Sequence, residues 1–194
     1  MTHSVLMNWI HNRLCRSEWW KKTVERDLLP WALKGLDLGG HPLEIGPGPG
    51  LTTDVLRARF PALTCLEIDP MHATALAGRL RETNVTVQQG DAAAMPFKND
   101  MFTGAMCFTM LHHMPSAELQ DRLLSEALRV IRPGAWLAGS DSRLSFRFRV
   151  LHINDTMVVC DPHKFGERLS GAGFSNIDVV LSERSFAFRG QKPA

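Results

Sequence analysis

The stretch Leu43-Glu44-Ile45-Gly46-Pro47-Gly48-Pro49-Gly50 constrains the fold of this chain more than any other. A short apolar run, read as a strand, ends in three glycines at alternate positions. Glycine adopts backbone conformations closed to other residues and, lacking Cβ, lets a ligand touch the main chain. A strand that stops at such a loop before the helical pattern of 51–60 is half of a βαβ unit. A dinucleotide fingerprint, GxGxxG, needs a small residue at position 51, where Leu51 stands. A pyrophosphate is cradled by backbone N–H groups, and Pro47 and Pro49 carry none. Glu44, at the strand end, repels phosphate. The loop therefore suits a nucleoside-like ligand without phosphates, with a cationic end.

Beyond the loop, strands and helices alternate. Residues 63–69 read as a strand and 71–81 as a helix, with Leu76 and Leu80 on one face. Residues 84–91 and 102–110 read as strands. The clearest helix covers 116–131: Ser116 can cap it, Leu119, Leu123, Ala127 and Ile131 form its apolar stripe, and Arg132-Pro133-Gly134 stops it. A strand follows over 135–141. Asp161-Pro162 opens a helix ending at Gly171–Gly173, and 176–183 and 184–190 close the chain as strands. This alternation predicts an α/β fold, a parallel sheet with helices on both faces. Ligands bind such sheets at the carboxyl ends of the strands, near the switch point.

Two more acids fall at strand ends. Glu67 lies 17 residues after Gly50, where a second strand delivers a carboxylate to a ribose diol; Asp69, one step further into the loop, is better placed to cap the next helix. Asp91 can accept from an exocyclic adenine amine or cap its own turn.

The runs LEIGPGPG, LEIDP, GDAAAMPF, Phe108-Thr109-Met110-Leu111-His112-His113 and LLSEALRVIRPGAWL together resemble the successive motifs of class I S-adenosylmethionine-dependent methyltransferases, most of all the small-molecule branch that includes ubiquinone and menaquinone biosynthesis methyltransferases. The resemblance covers roughly 41–140. It implies a three-layer Rossmann-like sandwich with a seven-stranded, mostly parallel sheet whose last strand is antiparallel. It implies S-adenosylmethionine as cofactor, with S-adenosylhomocysteine as product. Glu44 and Gly46, within the loop that also holds Pro47, Gly48 and Gly50, are expected at the methionine end. Glu67 is expected at the ribose, Ile68 and Met71 at the adenine face, Asp91 and Ala92 at the adenine edge, and the Phe108 carbonyl at the methionine amine. The Asn/Asp-Pro-Pro-aromatic motif of amide- and base-methylating relatives is absent after Phe108, which disfavours glutamine, adenine and cytosine acceptors.

The expected activity is methyl transfer to oxygen or carbon of a small, partly apolar molecule. The alternative is a non-catalytic S-adenosylmethionine- or nucleoside-binding regulatory module. His112 and His113 follow the fourth strand, where the acceptor should lie, and histidine suits proton removal near neutrality. The same pair can equally be structural. No tyrosine is present to serve as base.

The 194 residues suit one domain, 1–194. Residues 1–31 carry Trp9, Trp19, Trp20 and Trp31 and are expected to form an N-terminal helical lid or helical core packing. Ser17 can cap a helix there with the face Trp20, Val24, Leu28, and Pro30 follows its end. Residues 41–140 are the cofactor-binding core. Residues 143–160 are an acceptor-side insertion, whose strict alternation over 143–150 predicts a ribbon with Arg143, Arg147 and Arg149 on one face. A net charge of +2 gives no support for a nucleic-acid partner. Four dispersed cysteines fit a reducing cytoplasm. Neither metal-ligand spacing nor an apolar run of membrane-spanning length occurs. A homodimer stays open.

Overall fold

A computed structural model describes residues 17–145 and 156–194. Seven strands form one sheet: β1 (Leu43–Ile45), β2 (Leu63–Glu67), β3 (Val85–Gln89), β4 (Phe102–Phe108), β5 (Ile131–Ser142), β6 (Ser175–Leu181) and β7 (Ser185–Gln191). Their order is β3-β2-β1-β4-β5-β7-β6. β1 pairs in parallel with both β2 and β4, and β4 with β5. β7 runs antiparallel to both β5 and β6. The expected sheet, with its last strand reversed, is the one found. The order reverses at β1, so β1 and β4 flank the switch point, and the loops leaving both open on the same edge.

Helices cover both faces. On one lie α1 (Glu18–Thr23), α2 (Leu29–Ala32), α3 (Leu51–Leu56) and α4 (Pro70–Arg79). Val24, Leu28, Leu29, Leu56, Leu76 and Leu80 pack there against Leu63, Cys65, Met106 and Phe108. On the other lie α5 (Ala117–Val130) and α6 (Pro162–Gly171). Their Leu123, Leu124, Ala127, Phe165 and Leu169 meet Leu43, Ile45, Cys107, Leu137, Phe186 and Phe188. The strict alternation of β-strand side chains decides the division: Leu43 and Ile45 go to one face, and Glu44 between them goes to the other.

Several elements differ from the sequence expectation. Pro30 lies inside the helical run, not beyond it. The run widens to a π-turn over Val24–Leu28, where Leu29 N–H donates to the Val24 carbonyl. That extra residue makes room for the proline, which lacks an N–H and crowds the preceding turn. Ser17 does cap α1, accepting from Trp20 N–H. The helix expected over 51–60 ends at Leu56. β4 ends at Phe108, because Thr109 turns to φ +51°. β5 begins at Ile131, directly after α5.

The first half of the expected lid, residues 1–16, lies outside the described residues. In the second half Val24 and Leu29 are fully buried in the core, while Trp19 is exposed. The expected ribbon at 143–150 lies outside from residue 146 on, and 143–145 have no regular structure.

Candidate functional site

The carboxyl ends of β1 to β5 bring the motif residues to one edge of the sheet. Parallel pairing sets Ile45 beside Leu66 and Cys107, Glu67 beside Gln89, and Phe108 beside Ser140.

After β1 the chain turns through the glycine loop. Gly46, Gly48 and Gly50 all have positive φ, a conformation L-residues adopt only at a cost. Two of them differ in what a side chain would meet. At Gly50 a Cβ would run into Leu76 Cδ1 and lie 2.6 Å from Arg79 Nη2, so this glycine lets the loop rest on α4. At Gly48 a Cβ would point into open space, which makes it the position where a ligand can approach the bare backbone. Arg79 holds the loop from behind. Its guanidinium donates to the Pro49 carbonyl at 3.2 Å and to Asp54 at 2.6 Å.

Glu67, buried at the end of β2, fastens the front of the loop. Oε2 accepts from Gly48 N–H at 2.8 Å and Oε1 from Asp69 N–H at 2.9 Å. Asp69 instead caps α4, accepting from the N–H groups of Met71 and His72. Asp69 thus takes the capping role its offset suggested. Beside them Ile68 is 42% exposed and Met71 80% exposed, an apolar pair at the rim. After β3, Asp91 Oδ1 accepts from Ala93 N–H at 2.8 Å, so this acid shapes its own turn, with Ala92 within it.

Glu44, at the middle of β1, turns inward. Its side chain points beneath the loop and is 1% exposed. Thr52 and Thr53 hydroxyls donate to its two oxygens, the latter at 2.7 Å, and the Cys65 thiol lies 3.4 Å from Oε2. Burial, the largest influence, pushes its carboxyl above the usual range, against the opposing hydroxyl hydrogen bonds. The cause is the pleat: Glu44 stands on the face covered by α3, so its acceptors go to that helix's first turn. The Cys65 thiol is pushed far up, by burial first and by Glu44 second.

After β4 a single 3-10 turn, Leu111–His113, carries both histidines. His112 is 2% exposed and His113 half-buried, with ring centroids 4.2 Å apart. Sequence reasoning misses the partner of His112. Asp141, fully buried on β5, accepts from His112 N–H at 2.9 Å and contacts Nδ1 at 2.5 Å. The available signal is that Asp141 is the one acid of β5, just past its apolar stretch Ala135–Ala138. Gln120, buried on α5, is missed too. Its amide donates to the Leu111 and Val158 carbonyls at 2.9 and 2.7 Å, and its oxygen accepts from Arg168 at 2.9 Å. Val158 N–H donates to the His112 carbonyl at 2.8 Å. These bonds bind the histidine turn, α5 and the 156–160 segment into one wall.

Among the described residues no group of three His, Cys, Asp or Glu side chains is placed to hold a metal ion, and no helix is long and apolar enough to cross a membrane.

Comparison with known proteins agrees with this geometry. The family model described as a methyltransferase domain matches residues 43–139. A curated relative, (+)-O-methylkolavelool synthase of Herpetosiphon aurantiacus, is 29% identical over 117 residues, which is 53% of this chain and 37% of that protein. The chain thus spans little over a third of that relative's length. Among solved structures, a SAM-dependent methyltransferase from Aquifex aeolicus superposes with a TM-score of 0.73 at 17% identity, covering 93% of this chain and 96% of the other. The CurJ carbon methyltransferase also gives 0.73, at 16% identity, covering 94% and 57%.

Proposed function

The chain belongs to the methyltransferase domain family, enzymes that take their methyl group from S-adenosylmethionine, and we propose that it delivers that group to oxygen or carbon of a small, partly apolar acceptor. The observation that carries the cofactor part of this reading is the joining of Glu67 to Gly48, a loop glycine that opens onto free space.

The residues present fit the cofactor. Its ribose diol offers two donors, and the Glu67 carboxylate, held by two backbone N–H groups, keeps further lone pairs to receive them. Its adenine is flat and apolar on its faces, which suits Ile68 and Met71. Asp91 and Ala92 are assigned to the adenine edge and the Phe108 carbonyl to the methionine amine. Gly46, Pro47, Gly48 and Gly50 shape the wall at the methionine end. Glu44 is assigned to holding that wall from beneath, through Thr52 and Thr53. When bound, S-adenosylmethionine supplies a methyl group on a positively charged sulfur.

The protein's own part is alignment and proton removal. Holding two reactants in line is worth about 7–11 kcal/mol of a barrier. A hydroxyl or carbon acid must also lose a proton, and His112 and His113 stand after β4 on the side assigned to the acceptor. The name of a similar protein contains O-methyl, which supports an oxygen acceptor. The experiment is to incubate the chain with S-adenosylmethionine labelled in its methyl group and fractionated apolar metabolites. Label should appear on oxygen or carbon of a small molecule, with S-adenosylhomocysteine formed in equal amount. Label on nitrogen, or on protein or nucleic acid, overturns the assignment.

A further inference from the structure

We propose that Glu126 and Arg129 of α5 are positioning residues for the cofactor's adenine: the pair straps down the segment after β3 and thereby fixes the turn that presents Asp91 and Ala92 to the adenine edge. This rests on the cofactor assignment above and deepens it, by naming what sets the site's preference for adenine over a purine with a different edge.

The segment needs a strap because it has no regular structure of its own. The connections from β1 to β2 and from β2 to β3 carry α3 and α4, but residues 90–101, between β3 and β4, hold neither helix nor strand. Their backbone polar groups must find partners elsewhere, and α5 supplies them. Glu126 and Arg129 stand three residues apart, on one face of that helix. The Glu126 carboxylate accepts from Met95 N–H at 2.7 Å. The Arg129 guanidinium donates to the Met95 carbonyl at 3.0 Å, the Phe97 carbonyl at 2.7 Å and Asn99 Oδ1 at 2.9 Å. Its Nε and Nη2 close on Glu126 at 2.6 and 2.7 Å. All the N–H donors of the guanidinium are thus engaged, by the segment and by Glu126. Met95 is gripped at both its N–H and its carbonyl, and its side chain is buried in the core.

The grip bears on the adenine edge because the Asp91 turn is held between two anchors. At its start Gly90 N–H donates to the Glu67 carbonyl at 2.9 Å, which ties the turn to the residue assigned to the ribose. Within it Ala93 N–H donates to Asp91 Oδ1 at 2.8 Å and Ala94 N–H to the Asp91 carbonyl at 3.1 Å. Met95 follows directly, in the grip of α5. With Oδ1 taken by Ala93, Asp91 Oδ2 is the oxygen assigned to the adenine amine. Its place relative to the ribose is set by Glu67 on one side and by the Glu126–Arg129 pair on the other. The Arg129 contact, first, holds the Glu126 carboxyl below the usual range against partial burial, and Met95 N–H adds to it, so the strap is an ion pair in neutral solution. A purine with a carbonyl oxygen in place of the amine would turn an acceptor toward the Asp91 carboxylate, which only accepts.

The test uses the full chain and two ligands, S-adenosylhomocysteine and S-inosylhomocysteine, in which a carbonyl oxygen replaces the adenine amine. By calorimetric titration the unsubstituted chain should prefer the first at least about tenfold. Arg129→Gln should lower that preference at least about twofold. Asp91→Ala should lower it as well, and adding Arg129→Gln to Asp91→Ala should lower it no further, since both act on one contact. A second readout needs no ligand. Amide exchange at Ala93 and Ala94, whose bonds are to Asp91 and not to Arg129, should quicken in Arg129→Gln by a larger factor than at Ala73, whose N–H is bonded to the Asp69 carbonyl in α4. A strap that served the fold alone would leave the preference unchanged and speed the three amides alike; either result would overturn the proposal, as would equal binding of the two ligands by the unsubstituted chain. If Arg129→Gln does not fold, Arg129→Lys, which keeps the charge and loses the planar fork, is read in the same way. A chain that shows the local exchange effect yet binds neither ligand counts against the cofactor reading and not against the strap.

Discussion

Replacing Glu67 by alanine should separate two roles that one carboxylate performs. In the structure its oxygens accept from Gly48 and Asp69 N–H, and the proposed ribose contact adds hydroxyl donors to the same two atoms. Hydrogen bonds to a charged group are worth about 1.5–3 kcal/mol each. Losing both ribose bonds, about 3–6 kcal/mol together, should therefore weaken S-adenosylhomocysteine binding roughly a hundred- to ten-thousandfold, at about 1.4 kcal/mol per decade. The loop loses its front fastening as well. Two N–H groups left to find water cost about 1–3 kcal/mol together, a fall in melting temperature of about 2–4 °C per kcal/mol in a chain of this size. Asp69→Ala is the control. It removes the cap of α4, worth about 0.5–2 kcal/mol, so it should lower the melting temperature to a similar extent and leave affinity nearly intact. Calorimetric titration and a thermal melt on both variants give the comparison. Equal losses of affinity, or a larger loss in Asp69→Ala, would refute the assignment of Glu67 to the ribose.

The other expectations concern the loop and its supports. Gly50→Ala combines a left-handed backbone with a Cβ driven into Leu76 and should cost about 2–5 kcal/mol in chemical denaturation. Gly48→Ala meets open space and should cost about 1–2 kcal/mol, with the larger effect on cofactor affinity; the reverse ranking would contradict the division between them. Glu44 has its carboxyl raised by burial, so the folded chain binds a proton more tightly than the unfolded one, and this residue's contribution falls as pH rises above the ordinary glutamate range. Comparing Glu44→Gln with the unsubstituted chain by denaturation at several pH values should show the variant gaining relative stability as pH rises; a gain on lowering the pH would refute the burial argument. Gln120→Ala leaves the Leu111 and Val158 carbonyls and the Arg168 guanidinium short of a partner, and should cost about 2–4 kcal/mol by the same denaturation assay.

The fold is legible where local pattern and long-range packing agree. The apolar runs ending in glycine or acid mark the parallel strands, and Ser116 and Asp161 cap the helices they were expected to cap. The π-turn before Pro30 is not legible, since it is a compromise between a proline and a helix held in place by the buried Val24 and Leu29. At the site, the offset between Glu67 and Asp69 is enough to separate a strand-end acid from a helix cap. The placement of Glu44 is not, because the pleat that turns it under α3 is fixed by which neighbours its strand has. Asp141 escapes notice for a related reason. It meets His112 only because β5 lies beside β4, and its 29-residue separation from His112 has no local signature.

The central claim is that the loop over Glu67 holds S-adenosylmethionine and not a dinucleotide. It is tested most directly by calorimetric titration of the chain with S-adenosylhomocysteine, followed by competition with NAD. The account predicts saturable binding with one site per chain, undisturbed by NAD, because Pro47 and Pro49 offer no N–H groups to a pyrophosphate. Absence of S-adenosylhomocysteine binding, or its displacement by NAD at comparable concentration, would contradict it.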